Sequence, residues 1–193
     1  MEISMQLLSE PQITRELFQG FERRQEVTKC WQKEWGIWAL NDVCFVEDWN
    51  EQQYQFLVEC LKNTVNTKGI VLGAFQGEKL VGFASVESRR FGSREQYVQL
   101  SCIHVTNRCR GQGLGKRLFL YASYGAGKLG AERLYISAHP AQETQAFYHA
   151  LGCVEAEEYD ADLAQAYACQ HGHVLYDCQL EYELREDYQS NFF

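Results

Sequence analysis

The stretch Arg110-Gly111-Gln112-Gly113-Leu114-Gly115-Lys116 carries the residue types and spacing that most directly imply chemistry. Glycines let backbone N–H groups face a ligand at close range, and a helix that starts there adds partial positive charge. Arg108, Arg110, Lys116 and Arg117 surround those amides with full charges, in a chain whose formal net charge is -8. Such a local basic cluster reads as a phosphate cradle. Two common phosphate loops do not fit it. A P-loop needs Gly-x4-Gly-Lys followed by Ser or Thr, but Arg110 stands where the first glycine belongs and Arg117 replaces the hydroxyl residue. A dinucleotide fingerprint, Gly-x-Gly-x-x-Gly, ends on Lys116 if begun at Gly111 and on Leu118 if begun at Gly113.

A second cluster of ligand-type residues is weaker. Cys169, His171, His173 and Cys178 lie close together in sequence, but they lack a Cys-x2-Cys pair, and Cys178 falls in a strand pattern. No metal is expected.

The elements that must position the loop follow from periodicity. Val98 to Val105 is an apolar run, and Leu114, Leu118, Tyr121, Ala122 and Leu129 recur at helical spacing, so the loop joins a strand to a helix over 114–129. Within the strand, Val98 and Leu100 share one parity, whereas Ile103 and Val105 share the other. A bulge near Ser101-Cys102 reconciles the two. Upstream, residues 70–76 and 80–87 flank Gly77-Glu78-Lys79 as a hairpin, and Arg89 to Gln96 reads as a loop. Downstream come a strand over 133–138, a helix over about 142–151 stopped by Gly152, and strands over 153–159 and 175–184.

The first third reads differently. Residues 3–8 suggest a strand ended by Ser9-Glu10-Pro11. From Ile13 to about Asn66 the pattern predicts two or three helices, with Val27, Trp31, Trp35 and Trp38 stepping by four, four and three, and Tyr54, Leu57, Val58, Leu61 and Val65 stepping likewise.

The chain of 193 residues, 46% hydrophobic, suits one globular α/β domain. It has no apolar run of about 18 residues and no signal-peptide pattern, and its eight scattered cysteines suit reduced thiols, so a cytoplasmic location is expected. A pI near 5.2 argues against nucleic acid as a partner.

Arg110, Gly113 and Gly115 meet the pattern Arg/Gln-x-x-Gly-x-Gly/Ala, and the chain resembles the GCN5-related N-acetyltransferases (the GNAT family) over nearly all of its length. The resemblance implies a single GNAT-type domain over 1–193 whose mixed central β-sheet is splayed between its fourth and fifth strands and flanked by helices. Residues 1–68 would form a mainly helical part shaping the acceptor site, and residues 69–193 the coenzyme-binding core. It also implies acetyl-coenzyme A as cosubstrate, its pantetheine paired with the backbone of Ile103, His104 and Val105, and its pyrophosphate on Gly111, Gln112, Gly113, Leu114, Gly115 and Lys116. Ala146-Phe147-Tyr148 with Leu151-Gly152-Cys153 resembles the family's Phe-Tyr-x-x-x-Gly-Phe element, which puts Tyr148 near the coenzyme sulfur. A phenol ordinarily stays protonated at neutral pH and can donate a proton to a departing thiolate. Two family positions differ: Ala141 replaces a frequent asparagine, and Asn107 replaces a frequent proline. His139, Glu143 or Thr144 must then supply polar contacts beside the coenzyme, with Phe147 adjoining them.

The implied reaction is direct attack of a primary amine, from a small molecule or peptide, on the thioester within a ternary complex. Glu87, Glu95, Tyr97 and Asp177 are candidates for the proton acceptor, and no spacing singles one out. Cys102 and Cys109 lie near the expected thioester but have no recognisable paired base. Trp31, Trp35, Trp38 and Trp49, with Glu155, Glu157, Glu158, Asp160 and Asp162, suggest a cationic acceptor. The rival reading is a non-catalytic acyl-coenzyme A sensor of the same fold. No membrane partner is expected, and a homo-oligomer is compatible with either reading.

Overall fold

The structure, a computed structural model, describes residues 2–164, 166–168 and 174–184. In chain order its elements are β1 (Ile3–Leu7), β2 (Gln25–Glu34), β3 (Ile37–Glu47), α1 (Glu51–Asn66), β4 (Ile70–Gln76), β5 (Lys79–Val86) and β6 (Tyr97–Val105). There follow α2 (Leu114–Lys128), β7 (Arg133–Ala138), α3 (Gln142–Ala150), β8 (Val154–Glu155), β9 (Ala166–Ala168), β10 (Val174–Tyr176) and β11 (Cys178–Glu183). The class is α/β, as expected. The described residues divide into two compact units, one from 2–24, 48–134 and 183–184, the other from 25–47, 135–164, 166–168 and 174–182.

The first unit holds the strand order β1-β4-β5-β6, each pair antiparallel. One side of this sheet packs against α1 through Tyr54, Leu57 and Leu61, which meet Val71, Phe75, Leu80 and Phe83 in a closed apolar cluster. Helix α1 starts on Asn50, whose side chain accepts from the Gln53 amide while Gln53 reaches back to the Asn50 amide, a reciprocal cap. Helix α2 packs on β5 because Gly82 has no side chain. A Cβ there would lie 2.8 Å from Leu118 Cδ1 and 3.5 Å from Leu114 Cδ2. Gly125 lets the same helix close on Ile70 of β4 in the same way, at 2.7 Å from a would-be Cβ.

The bulge expected from parity is present. Ser85 pairs with Cys102 and Val86 with Leu100, which leaves Ser101 as the extra residue of β6.

In the second unit β7, β11 and β8 are neighbours in that order, with β11 and β8 antiparallel. The expected strand over 153–159 contracts to β8, and the one over 175–184 is interrupted at Asp177. The larger correction concerns residues 25–47, expected to be helical. They form a long antiparallel hairpin, β2–β3, and residues 10–18 contribute only two short 3-10 turns. Trp35 and Gly36 join the strands with φ of 52° and 81°, the doubly left-handed geometry of a two-residue hairpin turn. The spacing of Val27, Trp31, Trp35 and Trp38 marks no single face, since Trp35 is fully exposed in the turn, and a register irregularity falls between Val27 and Lys29. It brings Val27 and Cys30, three residues apart, into one buried cluster with Ala141 and Leu175. A bulged strand thereby imitates helical spacing. Strand β2 is anchored by a bridge from Cys30 to Ala141 and by the Trp31 amide on the Pro140 carbonyl, 2.8 Å away.

Candidate active site

The loop after β6 is built to present amides. Thr106 ends the strand with its amide on Val81, and a 3-10 turn over Asn107–Cys109 leads to Arg110, whose amide is held by the Asn107 carbonyl. Gly111 and Gly113 then take φ of 72° and 78°, and a Cβ at either would meet nothing within 4 Å. Gly113 is the N-cap of α2, and the first amide after it that is bonded within the helix is that of Arg117, on the Gly113 carbonyl. Between Arg110 and Arg117, the amides of Gly111 to Lys116 meet no acceptor among the described residues. A run of unspent donors at a helix N-terminus, beneath open space over two glycines, has the chemistry to accept an anion.

The side chains around it divide the work. Leu114 is buried and faces Gly82, so only its backbone is available to a ligand. Lys116 and Arg108 are exposed beside the amides, and Arg117 reaches the Ile3 carbonyl at 3.3 Å. Gln112 is exposed and donates to the Arg108 carbonyl at 3.2 Å. Arg110, expected to add charge to the cradle, is instead a strut. Its Nε donates to the Val105 carbonyl at 3.1 Å and its Nη1 to the Arg24 carbonyl at 2.9 Å. Burial, reinforced by the neighbouring Arg23, lowers its pKa from the ordinary guanidinium value.

Ile103, His104 and Val105 lie beyond the bulge and are partly exposed. The His104 ring meets Trp49 edge-on with centroids 4.7 Å apart and Phe83 at 5.4 Å. Burial first, then the charges of Arg23 and Arg110, hold its pKa well below the usual imidazole value, so it is neutral at physiological pH. Burial pushes the Cys102 thiol up to about 11, which removes it as a thiolate nucleophile.

In the second unit, Tyr148 lies on α3, 6% exposed, its ring 5.1 Å from that of Phe147. Phe147 and Thr144 are partly exposed, and Glu143 is exposed. The turn before α3 is held by Gln145, a residue that no motif in the sequence singled out. Gln145 is buried on the same helix face as Tyr148, and its Nε2 donates to the His139 carbonyl at 2.9 Å and the Ala138 carbonyl at 3.4 Å. A polar side chain one turn before Tyr148, on the apolar face, was the available signal. His139 Nδ1 accepts from the Ala141 amide at 3.1 Å, and Nε2 faces Glu47 at 3.2 Å.

The other candidates have structural duties. Glu87 accepts from Thr64 and Ser101. Glu95 is exposed and pairs with Arg90, Tyr97 is a buried ring beside Phe91, and Asp177 is buried and accepts from Ser137. The tryptophans do not line one helix. Trp35 is fully exposed at the hairpin turn, Trp38 has Lys33 over its ring, and Trp49 has Arg23 over its ring. Glu155 is occupied by Lys33 and the Trp38 indole, and Asp160 Oδ1 accepts from the Asp162 and Leu163 amides as a turn former. Cys169, His171 and His173 lie outside the described residues. Cys178 is buried, and its thiol is pushed up to about 12, chiefly by burial.

The model of the Acetyltransferase (GNAT) family matches residues 34–153. Among curated proteins none matches. Solved structures of similar fold include a nourseothricin acetyltransferase at 12% identity, TM-score 0.65, covering 96% of this chain and 100% of that one. Another is a Bacillus anthracis str. Ames protein provisionally assigned as a streptothricin acetyltransferase and solved with acetyl-coenzyme A. It is 14% identical with TM-score 0.69, over 96% of this chain and 100% of its own. A third, the PaiA N-acetyltransferase of Thermoplasma acidophilum with coenzyme A, is 17% identical with TM-score 0.54, over 95% and 99%.

Proposed function

Since this chain belongs to the GNAT acetyltransferase family, we propose that it transfers the acetyl group of acetyl-coenzyme A to a primary amine of a small molecule or peptide. The observation that carries this reading is the run of unpaired amides from Gly111 to Lys116 beneath open space, a fit for a pyrophosphate. The exposed Lys116 and Arg108 add charge that a diphosphate would neutralise. The backbone of Ile103, His104 and Val105 would pair with the pantetheine arm, and Thr144 and Phe147 would adjoin the coenzyme.

In this reading the amine attacks in its neutral form after its ammonium proton has passed to water. The N–C bond forms, the C–S bond breaks, the Tyr148 hydroxyl gives its proton to the departing thiolate, and the proton that the acylated nitrogen sheds passes through water to restore the phenol. Backbone N–H groups of β6 would polarise the thioester oxygen. The acceptor class is proposed from the family alone. The cations already over Trp38 and Trp49 leave those faces less available to a cationic acceptor than their sequence spacing suggested.

The test is isothermal titration of acetyl-coenzyme A, followed by thiol-release assays over polyamines, aminoglycosides, peptide amines and nourseothricin. Binding with turnover on one amine class is expected. Tyr148→Phe should lower kcat about 100-fold with coenzyme affinity unchanged. Binding without turnover on any amine would favour an acyl-coenzyme A sensor, and no binding would overturn the reading.

A further inference from the structure

The bulge in β6 does not rest on the ladder alone. Its extra residue, Ser101, has Oγ 2.6 Å from Glu87 Oε1 and 2.8 Å from Ser85 Oγ. Thr64 Oγ1, on the last turns of α1, lies 2.8 Å from the same Glu87 oxygen. Proton counting orients this chain. A carboxylate oxygen only accepts, so Ser101 donates to it, Thr64 shares its one proton between it and the Cys60 carbonyl at 3.1 Å, and Ser85 is left to donate to Ser101. Glu87 is itself fixed by its amide on the Gln99 carbonyl, 2.9 Å away. One carboxylate oxygen thus ties the unpaired residue of β6 to a helix on one side and to β5 on the other.

We propose that Glu87 is a positioning residue: it clamps Ser101 and so fixes the bulge that sets the register of Ile103, His104 and Val105. The inference rests on the coenzyme-binding reading of that strand. It also reassigns Glu87, half-buried and acidic, which stood among the four candidates for the proton acceptor. An accepting oxygen is what the clamp needs, whereas a base needs the charge. Removing the acceptor leaves Thr64 on the Cys60 carbonyl and Ser101 with only the long contact to the Ser85 carbonyl, and one residue of slack in β6 moves every later residue to the wrong face.

The experiment measures coenzyme A affinity by titration and amide exchange of residues 101–105 in the ligand-free protein. It compares the wild type with Glu87→Ala, Glu87→Gln and Ser101→Ala. Glu87→Ala and Ser101→Ala should each weaken binding about tenfold and speed exchange in 101–105 while exchange within α2 stays unchanged, and their combination should add little. Glu87→Gln keeps an accepting oxygen and should remain within about twofold of the wild type. Wild-type affinity in Glu87→Ala, or Glu87→Gln as impaired as Glu87→Ala, overturns the clamp. A wild type that fails to bind coenzyme A at all overturns the reading beneath it, and the exchange data then still judge the clamp alone.

Discussion

The turn from β6 into α2 and the hairpin β2–β3 treat their polar groups in opposite ways. The first leaves donors unspent: its amides from Gly111 to Lys116 meet no acceptor among the described residues, and Arg110 is turned inward to hold the loop's shape. The hairpin spends what it has on itself. Its strands are paired from Gln25–Glu47 to the turn at Glu34–Ile37, Lys33 lies over Trp38 and on Glu155, and His139 faces Glu47. An unsatisfied group survives in a folded chain where a ligand or water completes it. Ligand chemistry is therefore expected where bonding is incomplete, and a well-bonded element supplies shape.

Three perturbations break or sharpen that contrast. The largest is Gly113→Val. A branched side chain at φ 78° is strained and fills the open space over the loop, so coenzyme affinity should fall by about 30-fold in titration, with the melting temperature lowered by only about 5 °C. A large loss of stability with unaltered affinity would mean that the loop is scaffold. The second is acidification. The pKa of His104 is depressed when folded, so below its unfolded value near 6.5 the unfolded chain binds the extra proton. The stability this residue contributes is complete above about pH 6.5 and is lost as pH falls toward the folded value, with a slope of at most about 1.4 kcal/mol per pH unit. His104→Phe keeps the ring contacts and should flatten the melting temperature between pH 7 and pH 5. An unchanged slope would place the titrating group elsewhere. The smallest effect belongs to the hairpin. Trp35 is 100% exposed at φ 52°, so Trp35→Asn should stabilise by about 0.5 kcal/mol with no change in turnover, read by thermal melting and steady-state assay. A fall in turnover would show that the hairpin turn does more than supply shape.

The two regions also differ in how far they could be read from sequence, for a physical reason. The loop's behaviour is local. Glycine fixes the backbone options at 111 and 113, and the helix period after Leu114 locates the N-terminus. Even the bulge at Ser101 is visible, because an inserted residue flips the parity of everything after it. The hairpin's behaviour is non-local. Val27 and Cys30 share a face through a register shift against a strand more than ten residues on, and Trp35-Gly36 lacks the asparagine or aspartate that usually announces such a turn. The contacts of Gln145 with the end of β7 and of Arg110 with Arg24 are non-local in the same sense.

Gly82 never approaches the loop's open side, yet the missing carbon there sets how low α2 rides on the sheet. A strand residue thus acts as the seat of a lever whose far end is the row of amides at 111–116. If the loop holds a pyrophosphate as proposed, changes in its grip across relatives of this chain need not be sought among residues that meet the anion. Adding a single methyl beneath the helix would retune the grip while every ligand-facing atom kept its identity.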